Sequence, residues 1–162
     1  MASFVNVADV LTAAVEIERR GRNFYESEAG KAGSGELKDF FTFLANEEVK
    51  HGKLFEEMLK RVGGLALPVN SSTPEYMAYV SAALDSHLLF VRENPGGGAD
   101  SVGADPYLSA LRMEKDTIVY FLAMSGLVPE VERKHIDACV EEEKRHMALI
   151  QEKRRAAAAP KE

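Results

Sequence analysis

The feature that most restricts this chain is a repeat of itself. Shifting the 162-residue sequence by 95 or 96 positions lays Ala14-Val15-Glu16-Ile17-Glu18 on Ala110-Leu111-Arg112-Met113-Glu114, and Phe24-Tyr25 on Tyr120-Phe121. It also lays Glu47-Glu48-Val49-Lys50-His51 on Glu142-Glu143-Lys144-Arg145-His146. In both halves the apolar and small residues recur at three- and four-residue steps, as in Val7, Leu11, Ala14, Gly21 and Tyr25, then Leu37, Phe40, Leu44, Phe55 and Met58. That is helical periodicity, not the alternation of a strand. Each half therefore reads as a hairpin of two helices.

Turn chemistry sets the boundaries. The spacing predicts a first helix over about 3–28, a glycine-rich turn at 30–35 and a second helix ending near Arg61, before Gly63, Gly64 and Pro68. Thr73-Pro74 and Asp105-Pro106 each place a capping side chain before a proline at the first helical position, where its missing amide hydrogen costs nothing. A middle helix thus begins near Pro74 and carries Met77, Val80, Leu84, Leu88 and Val91 on one face. A loop rich in glycine and proline follows, from Asn94 to Pro106. The third helix runs from Pro106 to about Ser125, and the fourth follows Gly126 and Pro129. The predicted architecture is an all-α, antiparallel four-helix bundle, with two hairpins joined by a helical crossover. It forms one domain over 1–152, with 153–162 as a frayed tail.

On this frame the charged residues of the repeat stand in the wrong place for a plain core. Glu18 lies on the stripe of Leu11, Ala14, Gly21 and Tyr25, while Glu48 and His51 lie between Leu44 and Phe55. Glu18 and Glu48 are 30 residues apart and centred on Gly33; Glu114 and Glu143 are 29 apart and centred between Val128 and Pro129. Residues equidistant from the turn of an antiparallel hairpin share one height, so each half presents its carboxylates and imidazole at one level. Packing the halves together gathers Glu18, Glu48, His51, Glu114, Glu143 and His146 into one buried cluster. Four buried carboxylates demand compensating positive charge. Two metal ions fit the donor count, with Glu48 and Glu143 bridging, Glu18 and Glu114 terminal, and one histidine nitrogen for each ion. A mixed nitrogen and oxygen set suits iron, or manganese, better than magnesium or structural zinc; zinc scavenged during purification is also expected to bind.

Composition narrows the function further. Lys and Arg total 20 against 26 for Asp and Glu, a net charge of -6, so no positive field holds a nucleic acid. A single cysteine, Cys139, allows neither an internal disulfide nor a cysteine-ligated iron site. No stretch reaches the roughly 20 apolar residues that span a bilayer, and a reducing cytoplasm is the expected location.

The motifs Glu16-Ile17-Glu18 with Phe24-Tyr25, Asn46-Glu47-Glu48-Val49-Lys50-His51, Arg112-Met113-Glu114-Lys115-Asp116 and Glu141-Glu142-Glu143-Lys144-Arg145-His146 resemble those of ferritin-like di-iron carboxylate proteins, most closely the rubrerythrin-like branch. The resemblance spans roughly residues 7–150. It implies a ferritin-like bundle holding two iron ions. It also implies an oxidoreductase that reduces peroxide or dioxygen with electrons from an external donor protein, in a homodimer, with a role in oxidative stress. The alternatives are a protein that binds or oxidises ferrous iron, and a non-enzymatic bundle with a vestigial site. Two departures separate the chain from peroxide-reducing rubrerythrins: Thr117 stands where those proteins have a further glutamate, and no rubredoxin-type iron site can form.

Other residues carry weaker expectations. Tyr25, seven residues after Glu18, is a candidate for a redox or hydrogen-bonding role or for plain core packing. Glu47 and Glu142 are candidates to support the ligating histidines. Cys139 reads as a small core residue, Glu132 and His135 as a solvated bundle end, and His87 as an edge histidine.

Overall fold

The computed structural model describes residues 3–91 and 105–159. Its helices are α1 (Val7–Lys31), α2 (Gly35–Val62), α3 (Pro74–Asp85), α4 (Leu88–Val91), α5 (Pro106–Ser125) and α6 (Glu130–Ala158). Among the described residues no strand accompanies them; a single bridge joins Asn6 to Ala66.

The caps explain where the helices begin. Asn6 accepts from the Asp9 amide while the Asp9 carboxylate accepts from the Asn6 amide, a reciprocal pair that moves the start of α1 from the expected residue 3 to Val7. Ser34, Thr73 and Asp105 cap α2, α3 and α5 with their side chains. The crossover is broken where one continuous helix is expected. Ser86 closes α3, and the Leu88 amide turns to the Asp116 carboxylate at 3.0 Å, so α4 is a separate single turn. The loop residues 94–104 lie outside the described residues.

Helical backbone extends into the expected tail, as far as Ala158. Helix α6 continues past residue 152, and Lys153 and Arg154 reach across the bundle to Glu36 at 2.5 Å and Asp105 at 2.8 Å. An alanine run is also the best helix former available. Residues 160–162 lie outside the described residues.

Long-range contacts fix the directions of packing. Arg61 meets Glu132 at one end of the bundle and Lys153 meets Glu36 at the other, so α2 and α6 run antiparallel. The Tyr120 hydroxyl donates to the Val10 carbonyl at 2.9 Å, and Tyr25 reaches Glu114, which sets α1 antiparallel to α5. The crossover is tied down where the Tyr76 hydroxyl donates to the Ala123 carbonyl at 2.5 Å.

Two apolar clusters fill the bundle. One gathers Leu11, Ile17, Phe55, Met58, Phe121, Met124 and Ile136; the other gathers Phe24, Tyr25, Phe41, Leu44, Met113 and Ile150. The six polar residues of the repeat lie between them. This all-α bundle of two hairpins with a helical crossover is the fold expected from the sequence.

Candidate metal centre

All six repeat residues are buried: Glu114 and Glu143 are 0% exposed, and Glu18, Glu48, His51 and His146 at most 4%. They come from the four long helices at one level, as the distances from the turns require. Glu18 on α1, His51 on α2 and Glu143 on α6 each offer a donor atom to one point, and Glu114, Glu143 and His146 do the same at a second. Glu143 is common to both. Its Oε1 lies 2.8 Å from Nδ1 of His51, and its Oε2 is hydrogen-bonded to Nδ1 of His146 at 2.8 Å. The two imidazoles stack at 5.9 Å between centroids. Glu48 stands outside both trios, beside the glycine at position 21.

What these atoms lack is as informative as what they touch. Both carboxylate oxygens of Glu18, Oε2 of Glu114, Oε1 of Glu143 and Nδ1 of His51 are buried without a hydrogen-bond partner. The 2.8 Å approach of His51 Nδ1 to Glu143 Oε1 is therefore a contact without hydrogen-bond orientation. Orphaned buried acceptors are rare in folded proteins because each forfeits its hydration. Five of them converging on one volume fit a site built for cations. Burial drives the carboxyl of Glu18 up to about 8, and drives Glu48 and Glu114 well above the ordinary carboxylate range, with neighbouring carboxylates adding to the rise for the latter two. At Glu143 burial acts in the same direction, but the imidazoles of His146 and His51 outweigh it and hold the group at about 2. The donor set and its unmet demand fit two divalent ions.

Supporting residues divide unevenly. Glu142 reaches across the bundle: its Oε2 lies 2.7 Å from Nε2 of His51, on the other hairpin. The Glu47 carboxylate turns outward to Lys50 at 2.5 Å. The Tyr25 hydroxyl, fully buried, donates a short hydrogen bond to Oε1 of Glu114. Burial and the surrounding carboxylates push the Tyr25 phenol well up, so it keeps its proton at neutral pH. Cys139 is buried in the core, as expected. Glu132 corrects the expectation of a solvated end: it is 6% exposed and takes a two-point contact from Arg61, at 2.9 and 3.1 Å.

Three residues have surroundings that helical spacing does not reveal. Gly21 packs so closely that a Cβ there would lie 2.8 Å from Oε2 of Glu48 and 3.1 Å from its carboxyl carbon. Its position three residues after Glu18, on the ligand stripe, was the available signal. His87 is not at an edge but 0% exposed. Its Nδ1 accepts from the Leu89 amide at 3.2 Å, so the proton sits on Nε2, which donates to Oγ1 of Thr117 at 3.0 Å. Thr117 is thus partnered by the crossover, a tertiary contact that helical spacing alone cannot show.

The Rubrerythrin family model matches residues 9–84, which carry Glu18, Glu48 and His51. Among solved structures the chain is similar to a protein from Thermotoga maritima provisionally described as a ferritin-like diiron-carboxylate protein. The TM-score is 0.61 at 23% identity, over 94% of this chain and 97% of that one. No curated protein matches. The chain is thus similar to rubrerythrins over residues 9–84 and shares the fold of the ferritin-like protein, and its one cysteine leaves no rubredoxin-type iron site within these 162 residues. No helix among the described residues is long and apolar enough to cross a membrane.

Proposed function

We propose that the protein is a di-iron oxidoreductase that reduces peroxide or dioxygen with electrons from a separate donor protein, acting in the cytoplasm as a homodimer. The observation that carries this reading is the pair of buried donor trios sharing Glu143. Glu18 and His51 would hold one ion and Glu114 and His146 the other, with Glu143 between them and Glu48 completing the set. A pair of iron ions supplies two electrons to a single oxygen–oxygen bond.

The chain's own residues do the rest. Tyr25 keeps Glu114 oriented through its hydroxyl and holds a proton beside the cluster. Glu142 fixes the His51 ring by its outer nitrogen, leaving Nδ1 to face inward. The two apolar clusters above and below shield the site from water on those two sides, which strengthens the charge interactions between them. Reduction of hydrogen peroxide to two waters consumes two electrons and two protons. The electrons come from the external donor, since one buried cysteine cannot bind a rubredoxin iron.

A second reading, ferrous-iron oxidation and handling, is favoured by Thr117, which lacks the carboxylate found there in peroxide-reducing relatives and is held by His87 instead. Stopped-flow absorbance on iron-loaded, reduced protein separates the two. Rapid oxidation by hydrogen peroxide, repeated over many turnovers when a reduced donor is supplied, is expected. Oxidation confined to a stoichiometric amount of added ferrous iron, with no donor-dependent turnover, would establish iron handling in its place.

A further inference from the structure

The two hairpins each have a groove between their helices, and of the two only the first is lined by residues of the cluster. Between α1 and α2 a cavity of about 250 Å³ is lined by Val15, Arg19, Val49 and Gly52 and runs down to Glu18 and Glu48. Between α5 and α6 lies a larger cavity of about 710 Å³. Its walls include Leu111, Lys115 and Met147, the repeat counterparts of Val15, Arg19 and Gly52, yet neither Glu114 nor Glu143 lines it. At the level of the cluster, methionine on one hairpin stands where the other has glycine.

Nothing in the backbone calls for that glycine. Gly52 lies inside α2, and no glycine among the described residues has a positive φ. A Cβ at Gly52 would meet only Cβ of Glu18, at 3.5 Å, an ordinary contact. Gly21 differs, because a Cβ there would strike the Glu48 carboxylate. Glycine within a helix is also destabilising relative to alanine. What Gly52 provides is the space beyond its own Cα, in the floor of a groove whose lining includes Glu18 and Glu48, two residues of the buried cluster.

We propose that metal ions reach the cluster through the α1/α2 groove and that Gly52 keeps this groove open, while Met147 closes the equivalent path between α5 and α6. The inference rests on the reading of the cluster as a metal centre. Around the groove Arg19 is paired with Glu16 and Arg22 with Glu26, at 2.7 and 2.8 Å, and the lining also holds one further charge of each sign, Lys53 and Glu56.

The test is the rate at which metal-free protein takes up Co²⁺, followed by stopped-flow absorbance, with the final Co²⁺ per chain measured by plasma emission. Gly52→Met, which gives α2 the side chain found on α6, should load at least about tenfold more slowly, a barrier higher by about 1.4 kcal/mol, and reach the parent's endpoint. Gly52→Ala, whose methyl fits, should raise the melting temperature and load close to the parent rate. A Gly52→Met protein that loads as fast as the parent overturns the route alone. So does one that loads at the parent rate to a lower endpoint, which would make Gly52 a packing residue. A parent that takes up no Co²⁺ overturns the metal reading and the route together.

Discussion

The two hairpins began as the same sequence pattern and now do different things at the same level. On the second, Glu143 reaches both imidazoles, whereas its counterpart Glu48 reaches neither and is pressed against Gly21. Glu142 supports a histidine of the other hairpin, whereas its counterpart Glu47 turns to Lys50 on its own helix. Tyr25 on the first hairpin donates to Glu114, while Phe121, the repeat equivalent of Tyr25, has no hydroxyl to offer Glu18. Glu18 is accordingly left with both oxygens unpartnered. A duplicated helical hairpin supplies near-symmetric positions for ligands. Single differences off the ligand set, phenylalanine for tyrosine or threonine for glycine, then give the two sides different hydrogen bonds and packing.

That contrast can be broken most forcefully at Glu143. Glu143→Gln removes the one charge common to both trios, and loss of both ions is expected, with affinity falling well beyond the roughly 100-fold that loss of an outer supporting group costs. Glu48→Gln should cost less and spare one ion. Equal losses in the two variants, measured as metal per chain, would erase the distinction between the hairpins.

Next in size is Gly21→Ala. Its methyl would arrive 2.8 Å from the Glu48 carboxylate, so Glu48 must move, and affinity for metal should drop by at least about tenfold. The same methyl is already exceeded at the repeat-equivalent Thr117, where Thr117→Ala should leave metal content near that of the parent. Titration with a competing chelator reads both.

Glu142→Ala should weaken metal binding by about 10- to 100-fold, because His51 loses the partner that orients it. Glu47→Ala should change it by little. The reverse ranking would show that Glu47, and not Glu142, supports the ligating histidines.

The smallest effect concerns His87 and appears only in acid. Burial, reinforced by Arg20, holds this imidazole down at about 4, against an ordinary value of 6.5, and the Leu89 amide already occupies the nitrogen that a second proton would need. The unfolded chain therefore takes up a proton as pH falls through 6.5, while the folded chain does so only near 4. The linked stability is intact above about 6.5 and is lost progressively between there and 4. By pH 5 this amounts to about 2 kcal/mol. His87→Gln cannot titrate, so its urea midpoint should fall less between pH 7 and pH 5 than the parent's. Parallel falls would remove His87 from the account.

Much of this was legible in the sequence because helices report their buried face through spacing. The repeat placed Glu18, Glu48, His51, Glu114, Glu143 and His146 on one stripe at one height; all six are buried, and all but Glu48 meet in the two trios. The crossover was less legible. The break at Ser86 depends on Asp116 capturing the Leu88 amide from another helix, and the burial of His87 depends on Thr117 thirty residues away. Neither leaves a periodic trace. The same holds for the supporting glutamates: adjacency to a ligand made Glu47 and Glu142 equal candidates, and only the packing of α6 against α2 tells them apart. The persistence of α6 to Ala158 follows from Lys153 and Arg154 finding acids on distant elements.

On the proposed function, the buried carboxylates and imidazoles hold two ions around Glu143. The most direct measurement is a crystal structure of iron-loaded protein with anomalous difference maps recorded on either side of the iron absorption edge. Two peaks are expected, one among Glu18, His51 and Glu143 and the other among Glu114, His146 and Glu143. A fully loaded crystal with no peak at either trio, or with iron only at surface carboxylates, would contradict the account.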